Sequence, residues 1–86
     1  LLAGLSARGA TDGRFVAQHT SGLAEALAVA QATDAAACGL AASDLATFLD
    51  WFARSEKAVT LYSQGVNQSS AGVDKVNAII NCHLLT

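Results

Sequence analysis

The sequence contains no proline and no methionine, only two cysteines, and only five Phe, Trp and Tyr residues among 86. Its five Lys and Arg are scattered along the chain without a basic cluster. Because nucleic-acid affinity depends on neutralising many phosphates, we do not expect a nucleic-acid-binding protein. No apolar stretch reaches about 18 residues, so we expect no membrane-spanning helix.

Few residues are of the types that bind metals or catalyse reactions. Cys38 and Cys82 are too few for a secreted disulfide scaffold, and no signal peptide is recognisable, so we expect a reducing cytoplasm. Neither C-x-x-C nor H-x-x-x-H occurs. Cys82 and His83 are adjacent on a predicted helix, where their side chains diverge by about 100°. Since nucleophile motifs and paired carboxylates are also absent, we predict no metal ligand and no catalytic residue in this chain.

Apolar residues at helical spacing predict helices over about residues 1–8, 11–18, 20–31, 43–54 and 72–85. Thr11 or Asp12 is the expected N-cap of the second of these. A short helical turn that starts at Thr33 or Asp34 is expected to end at Gly39. Ser43 followed by Asp44 is the clearest start signal, because a hydroxyl caps a helix and a carboxylate favours its positive end.

Residues 58–63 (AVTLYS) are rich in β-branched and aromatic side chains, which predicts a β-strand. With a helix following this strand, we expect the α/β class. The chain would then be a mostly helical part of a Rossmann-like αβα cofactor-binding domain, with about five helices and one strand. A lone strand leaves its backbone unpaired, so its partner strands are expected outside these residues.

The last predicted helix is apolar almost all round, with a narrow polar stripe of Asp74, Asn77 and Asn81. Such a helix is normally buried between other elements, and nothing else in the chain is large enough to cover it. The chain also begins without Met and ends on an apolar run. We therefore expect residues 1–86 to be a partial domain truncated at both ends; a mature protein whose leader was removed is the alternative.

The polar loop 64–72 (QGVNQSSAG) is the one segment with a functional signal. A loop between a strand and a helix N-terminus often holds a phosphate or nucleotide. Gly65 would let a ligand approach the backbone, and the amides of Gln64, Asn67 and Gln68 can both donate and accept hydrogen bonds. An ordinary surface turn is the alternative, because the loop matches neither G-x-G-x-x-G nor the P-loop.

Three stretches of the chain resemble assimilatory nitrate reductases of the molybdopterin oxidoreductase family: FVAQHTSGL, ACGLAASDLATFLDWFARSEKAVTLYSQG and LYSQGVNQSSAGVDKVNAIINCHLLT. The resemblance covers nearly the whole chain. It departs at residues 32–34, where relatives often carry Thr-Pro-Glu and this chain has Ala-Thr-Asp. The resemblance implies a large cytoplasmic enzyme that reduces nitrate to nitrite, of which the 86 residues alone would be inactive.

The resemblance also implies cofactors. Molybdenum would be held by two molybdopterin guanine dinucleotides, and a [4Fe–4S] cluster would be bound outside this segment. The family pattern Q/M-G-x-N-Q places cofactor contacts on Gln64 and Gln68, with Gly65 and Asn67 shaping the loop. Partners would be the rest of the same polypeptide and an electron donor, whether ferredoxin, flavodoxin or an NADH-linked subunit.

Two other interpretations stay open at this point. The chain could derive from a different molybdopterin oxidoreductase, such as a periplasmic nitrate reductase or a formate dehydrogenase. Alternatively, it could be a non-enzymatic small helical interaction module with an exposed apolar groove.

Overall fold

A computed structural model describes all residues from Leu1 to Thr86, and every regular element in it is helical. The six α-helices are α1 Leu2–Ala7, α2 Gly13–His19, α3 Leu23–Gln31, α4 Ala42–Arg54, α5 Gln64–Asn67 and α6 Gly72–Leu85. A 3₁₀ helix, Ala35–Cys38, lies between α3 and α4.

Capping residues set several of these boundaries as the sequence predicted. The Asp12 carboxylate accepts a hydrogen bond from the Phe15 N–H at 2.8 Å and so begins α2. The Asp34 carboxylate accepts one from the Ala36 N–H at 2.9 Å and begins the 3₁₀ helix. Gly39 ends that helix with a φ of 72°, a left-handed conformation that glycine adopts without strain.

The start of α4 differs from its prediction. Ser43 was the expected N-cap, but the helix begins at Ala42 after Ala41, and no side chain caps it. The Ser43 carbonyl instead accepts a hydrogen bond from the Thr47 hydroxyl at 2.9 Å, within the first turns of the helix. The last turn is as predicted, with Arg54 paired to Asp50 at 2.7 Å one turn earlier.

The predicted strand at 58–63 is absent, and the α/β fold class is therefore wrong. The chain has no β-strand and is not part of a Rossmann-like αβα domain. Residues 56–62 form no backbone–backbone hydrogen bond at all. A β-branched, aromatic run becomes a strand only when another strand satisfies its N–H and C=O groups, and none of the other residues here is extended into one.

The core lies where α1 meets α4 and α6. Its buried side chains are Leu2, Leu5, Leu49, Cys82 and Leu85. Gly4 permits the approach of α1 to α4, because a methyl group there would lie 2.7 Å from a Leu49 methyl carbon. α3 packs against α1, and α2 packs against α6, with the Asp12 N–H donating to the Leu85 carbonyl at 2.8 Å.

The molecule exposes more surface than its mass predicts. Its accessible area is 6155 Å², about 1,400 Å² more than the roughly 4,700 Å² expected of a folded monomer of 8.7 kDa. Only six of the 86 residues are buried. Even α6, predicted to be covered on most sides, leaves Val73, Ile80 and Leu84 exposed.

Candidate functional site

The predicted ligand-binding residues lie on and next to α5, a single helical turn. Gln64, Gly65 and Asn67 are in the helix, and Gln68 follows it directly. The Gln68 N–H donates to the Gln64 carbonyl at 3.1 Å, so the two glutamines are stacked one turn apart. Residues four apart on a helix share a face. The structure therefore brings Gln64 and Gln68 together on one side of the turn.

The amide side chains of this turn are free to bind a ligand. Gln64, Asn67 and Gln68 are all exposed, and none of their side chains makes a hydrogen bond within the protein. Each amide can donate two hydrogen bonds and accept two. Gly65 leaves the adjacent backbone open, since a methyl group there would meet no atom within 4 Å.

A tight turn joins α5 to α6 and fixes the backbone that carries the amides. Gly72 lies against Asn67, where an added methyl group would come within 2.7 Å of the Asn67 carbonyl carbon. The Gly72 N–H donates to the Ser69 carbonyl at 2.9 Å, and the Ser69 hydroxyl donates to the Val66 carbonyl at 2.8 Å. The turn is therefore fixed by its own backbone, and only glycine is accommodated at position 72.

A cation and free backbone donors lie beside the turn. The Lys75 ammonium donates to the Ser69 hydroxyl oxygen at 2.9 Å. At the start of α6, the N–H groups of Gly72 and Lys75 have backbone acceptors, whereas those of Val73 and Asp74 have none. This arrangement has the positive charge and N–H donors that an anionic group binds, although the Asp74 carboxylate adds one negative charge.

One part of the sequence argument for this site is wrong. It placed the loop at the carboxyl end of a strand, and the structure has no strand there. The sequence does not predict the helical turn α5, because Gly65 has a low helix propensity. Ser63 precedes α5 but makes no side-chain cap bond.

A cleft of about 600 Å³ lies away from this turn. It is open and is bounded by the α1–α2 connection and the ends of α4 and α6. Its ionisable lining residues are Asp12, Glu56, Lys57 and His83. The charges of these residues are mixed, and no buried polar side-chain atom lacks a hydrogen-bond partner. Neither feature indicates a particular ligand for this cleft.

The cysteines and histidines are dispersed. No group of three or more His, Cys, Asp or Glu side chains is placed to hold a metal ion. Cys38 is exposed, and Cys82 is buried. Burial raises the pKa of the Cys82 thiol above its ordinary value of 9.0, and its Sγ donates to the Ala78 carbonyl at 3.2 Å. None of the helices has the length and hydropathy needed to cross a bilayer.

Comparison with known proteins identifies two relatives with the same name. A nitrate reductase of Klebsiella oxytoca is 48 % identical over 63 residues, which cover 69 % of the chain and 7 % of that protein. A nitrate reductase of Shewanella frigidimarina is 37 % identical over 90 residues, which cover 98 % of the chain and 10 % of that protein. The chain is similar to part of nitrate reductases. It spans no more than about a tenth of the length of these two relatives.

Two further comparisons found nothing: no family model matches the chain, and no solved structure matches it. The similarity to nitrate reductases therefore rests on sequence. The Shewanella relative covers 98 % of the chain, so the similarity extends through α5 and the turn to α6.

Proposed function

We propose that these 86 residues are a segment of a molybdenum-dependent nitrate reductase that reduces nitrate to nitrite for nitrogen assimilation. The observation that carries this proposal is the 48 % identity to the Klebsiella oxytoca nitrate reductase. A second nitrate reductase, similar over almost the whole chain, supports it. In this proposal the enzyme is cytoplasmic, and a ferredoxin, a flavodoxin or an NADH-linked subunit supplies its electrons.

The role proposed for this segment is to contact a molybdopterin guanine dinucleotide through the turn at α5. Gln64 and Gln68 would present their amides from one face, and Gly65 would leave the backbone approachable. The exposed, unpaired state of these amides supports the assignment. The Lys75 ammonium beside Ser69 adds a cation suited to the phosphates of a dinucleotide.

The residues present fit the dinucleotide and not a metal. Amide side chains can form hydrogen bonds with a heterocycle or a sugar–phosphate linkage, and the exposed backbone of the turn lets a ligand approach closely. A [4Fe–4S] cluster needs a group of cysteine thiolates, and this segment has no group of metal ligands. The proposal therefore assigns the cluster to another part of the polypeptide, and the dinucleotides themselves would hold the molybdenum. When bound, the molybdenum cofactor would supply the redox chemistry, while this chain would bind and orient it.

Substitution of Gln68 in the full-length enzyme tests the assignment. Loss of hydrogen bonds from one amide costs about 1–1.5 kcal/mol, so Gln68→Ala is expected to weaken cofactor retention roughly 5- to 10-fold. The measurements are molybdenum and released guanine nucleotide per protein after dialysis. Gln31→Ala, an exposed glutamine at the end of α3, is the matched control and should retain both. Undiminished molybdenum and nucleotide in Gln68→Ala would remove Gln68 from the site.

The substrate is tested separately from the cofactor. Nitrate and formate are offered to the purified full-length enzyme with an artificial electron donor or acceptor. Reduction of nitrate without oxidation of formate supports the proposed activity, and oxidation of formate would favour a formate dehydrogenase. The cell fraction in which the enzyme is found distinguishes an assimilatory enzyme from a periplasmic one.

A small helical interaction module is the second candidate, and the excess accessible surface favours it. It requires that the 86-residue chain folds alone. Cooperative urea unfolding and dispersed amide resonances of the purified chain would support this candidate. A broad, non-cooperative transition would leave the nitrate reductase segment as the better account.

A further inference from the structure

A continuous row of contacts links α4, α6 and the segment 58–63. The Phe48 and Phe52 rings meet edge to face with centroids 6.3 Å apart. The Phe52 ring lies 5.3 Å from the His83 ring of α6. The His83 Nε2 and the Thr60 Oγ1 share a hydrogen bond of 2.8 Å. In this row, the Thr60 side chain alone connects segment 58–63 to the helices.

The side chains flanking this row are apolar and exposed. Val59 and Leu61 flank Thr60 along the chain, and their exposed fractions are 82 % and 91 %. On α4, Phe48 and Trp51 are three residues apart on one face and are 47 % and 68 % exposed. We call these four residues, Phe48, Trp51, Val59 and Leu61, the aromatic–aliphatic surface.

Exposing these apolar side chains to water is unfavourable in free energy, and nothing within residues 1–86 covers them. Trp and Phe supply the largest apolar areas of any side chains, and contiguous apolar patches on proteins mark interaction sites. Over the whole molecule the accessible area exceeds that of a folded monomer by about 1,400 Å², compared with the roughly 800 Å² that each partner buries in a standard interface. Trp51, Val59 and Leu61 are among the most exposed large apolar side chains that contribute to this excess.

We propose that the aromatic–aliphatic surface is the docking site for a segment of the same polypeptide that lies outside residues 1–86. This inference rests on the proposed function, because the nitrate reductase relatives have about nine-tenths of their length outside the matched region. That length provides a covering segment in every molecule, at the high effective concentration of a tethered chain. A second copy of the chain would have to meet the same surface by a separate association step, whose lost freedom costs free energy.

Hydroxyl-radical footprinting of the native full-length polypeptide tests the cover. Val59 and Val29 are a matched pair, because they share intrinsic reactivity and are 82 % and 71 % exposed in this segment. Each is compared with itself in denaturant. Val59, Leu61 and Trp51 are expected to be protected about five-fold more than Val29, since an interface core excludes solvent. Reactivity of Val59, Leu61 and Trp51 in the native polypeptide equal to that in denaturant would overturn the proposal.

Cross-linking identifies the occupant. A photoreactive amino acid replacing Leu61 in the full-length polypeptide is expected to cross-link within the same molecule, to a peptide outside residues 1–86. A cross-link between two molecules would show that a second copy covers the surface and would overturn the proposal. Absence of any cross-link at position 61, with the residue shown to be activated, would do the same.

Placing a charged side chain on the aromatic–aliphatic surface tests whether its burial contributes to the stability of the full-length polypeptide. Val59→Asp in the full-length polypeptide is expected to reduce the soluble, folded yield several-fold, and Val29→Asp is expected to leave it unchanged. Equal yields of the two variants would argue against a buried position for Val59. None of these readouts depends on cofactor or activity, so the docking proposal and the assignment of Gln68 can fail independently.

Discussion

The two ends of the chain are held together firmly, whereas residues 56–62, which follow α4, make few contacts that hold them in place. Leu5 in α1 and Leu85 in α6 are 0 % and 2 % exposed and pack in the same core. Leu61 is 91 % exposed, and residues 56–62 make no backbone–backbone hydrogen bond. Both regions are comparably apolar in sequence. What separates them is whether the chain itself supplies a partner for each side chain and each backbone group.

The comparison shows that apolar content does not determine burial in this chain. α1 is only six residues long, yet it contacts α3, α4 and α6, and Gly4 lets it approach α4 closely. Residues 58–63 have no second extended segment to pair with, so their apolar side chains stay at the surface. Local sequence sets the preference for burial, and tertiary contacts decide whether it is met.

The largest predicted effect contrasts one leucine from each region. Leu5→Ala removes a fully buried side chain and is expected to lower the free energy of unfolding by about 2–5 kcal/mol, enough to unfold a marginal chain. Leu61→Ala should change it by less than about 0.5 kcal/mol. Urea unfolding followed by circular dichroism, in a stabilising osmolyte, measures both. A similar loss in the two variants would mean that 58–63 is packed more tightly than the structure shows.

The next contrast uses two glycines of the candidate site. Gly72→Ala places a methyl group against the Asn67 carbonyl and is expected to destabilise the chain by about 1–3 kcal/mol. Gly65→Ala enters open space in a helical turn and should be neutral or stabilising by up to about 1 kcal/mol. Thermal unfolding of the two variants measures the difference. If Gly65→Ala nevertheless lowers cofactor content in the full-length enzyme, the ligand approaches the backbone at that position.

The third contrast concerns the two thiols and pH. Burial raises the pKa of Cys82, so above about pH 9 the unfolded chain loses its thiol proton before the folded chain does. The unfolded state then binds fewer protons, and the free energy of unfolding falls as pH rises from about 9 towards the pKa of the folded state. Cys82→Ala should abolish this slope, and exposed Cys38→Ala should retain it. An unchanged slope in Cys82→Ala would assign the pH dependence to another group.

Reactivity provides a direct check on the same comparison. At neutral pH a thiol reagent should modify Cys38 promptly and Cys82 only as fast as the core opens. Equal rates at the two positions would indicate that α6 is not packed as described.

The smallest predicted effect concerns the tether of the exposed stretch. Thr60→Val removes the hydrogen bond to His83 and is expected to cost about 0.5 kcal/mol, since both groups are solvent-accessible. It should mainly raise the rate of trypsin cleavage after Lys57, with cleavage after Arg54, at the end of α4, as the internal reference. Unchanged cleavage after Lys57 would show that the hydrogen bond does not restrain the segment.

Local signals predicted much of this fold, and the errors have physical causes. Asp12 and Asp34 each begin a helix through a hydrogen bond of their own carboxylate, and Gly39 ends one because it lacks a side chain and adopts a positive φ. Ser43 is not the cap because α4 begins before it, at Ala42. The strand at 58–63 failed because strand formation depends on a partner, which the spacing of its own residues does not reveal.

The sequence predicted which residues belong to the candidate site, and it did not predict how they are arranged. The polar amides and Gly65 could be identified from the sequence, and their similarity to nitrate reductases is supported by two relatives. The alignment of Gln64 and Gln68 on one face was not foreseen, because it depends on the α5 turn. The fixed position of Gly72 against Asn67 could not be derived either, since it depends on how α5 and α6 meet.

Because α5 and α6 meet at Gly72, ligand binding at α5 would be coupled to the folding of α6. α6 is 14 residues long, roughly 21 Å, with the turn at its first residue and Cys82 and Leu85 of the core in its last turn. A ligand that requires the ordered turn binds only molecules in which the start of α6 is formed. Such a ligand shifts the folding equilibrium by mass action, so the midpoint of core unfolding would report occupancy at the distant glutamines.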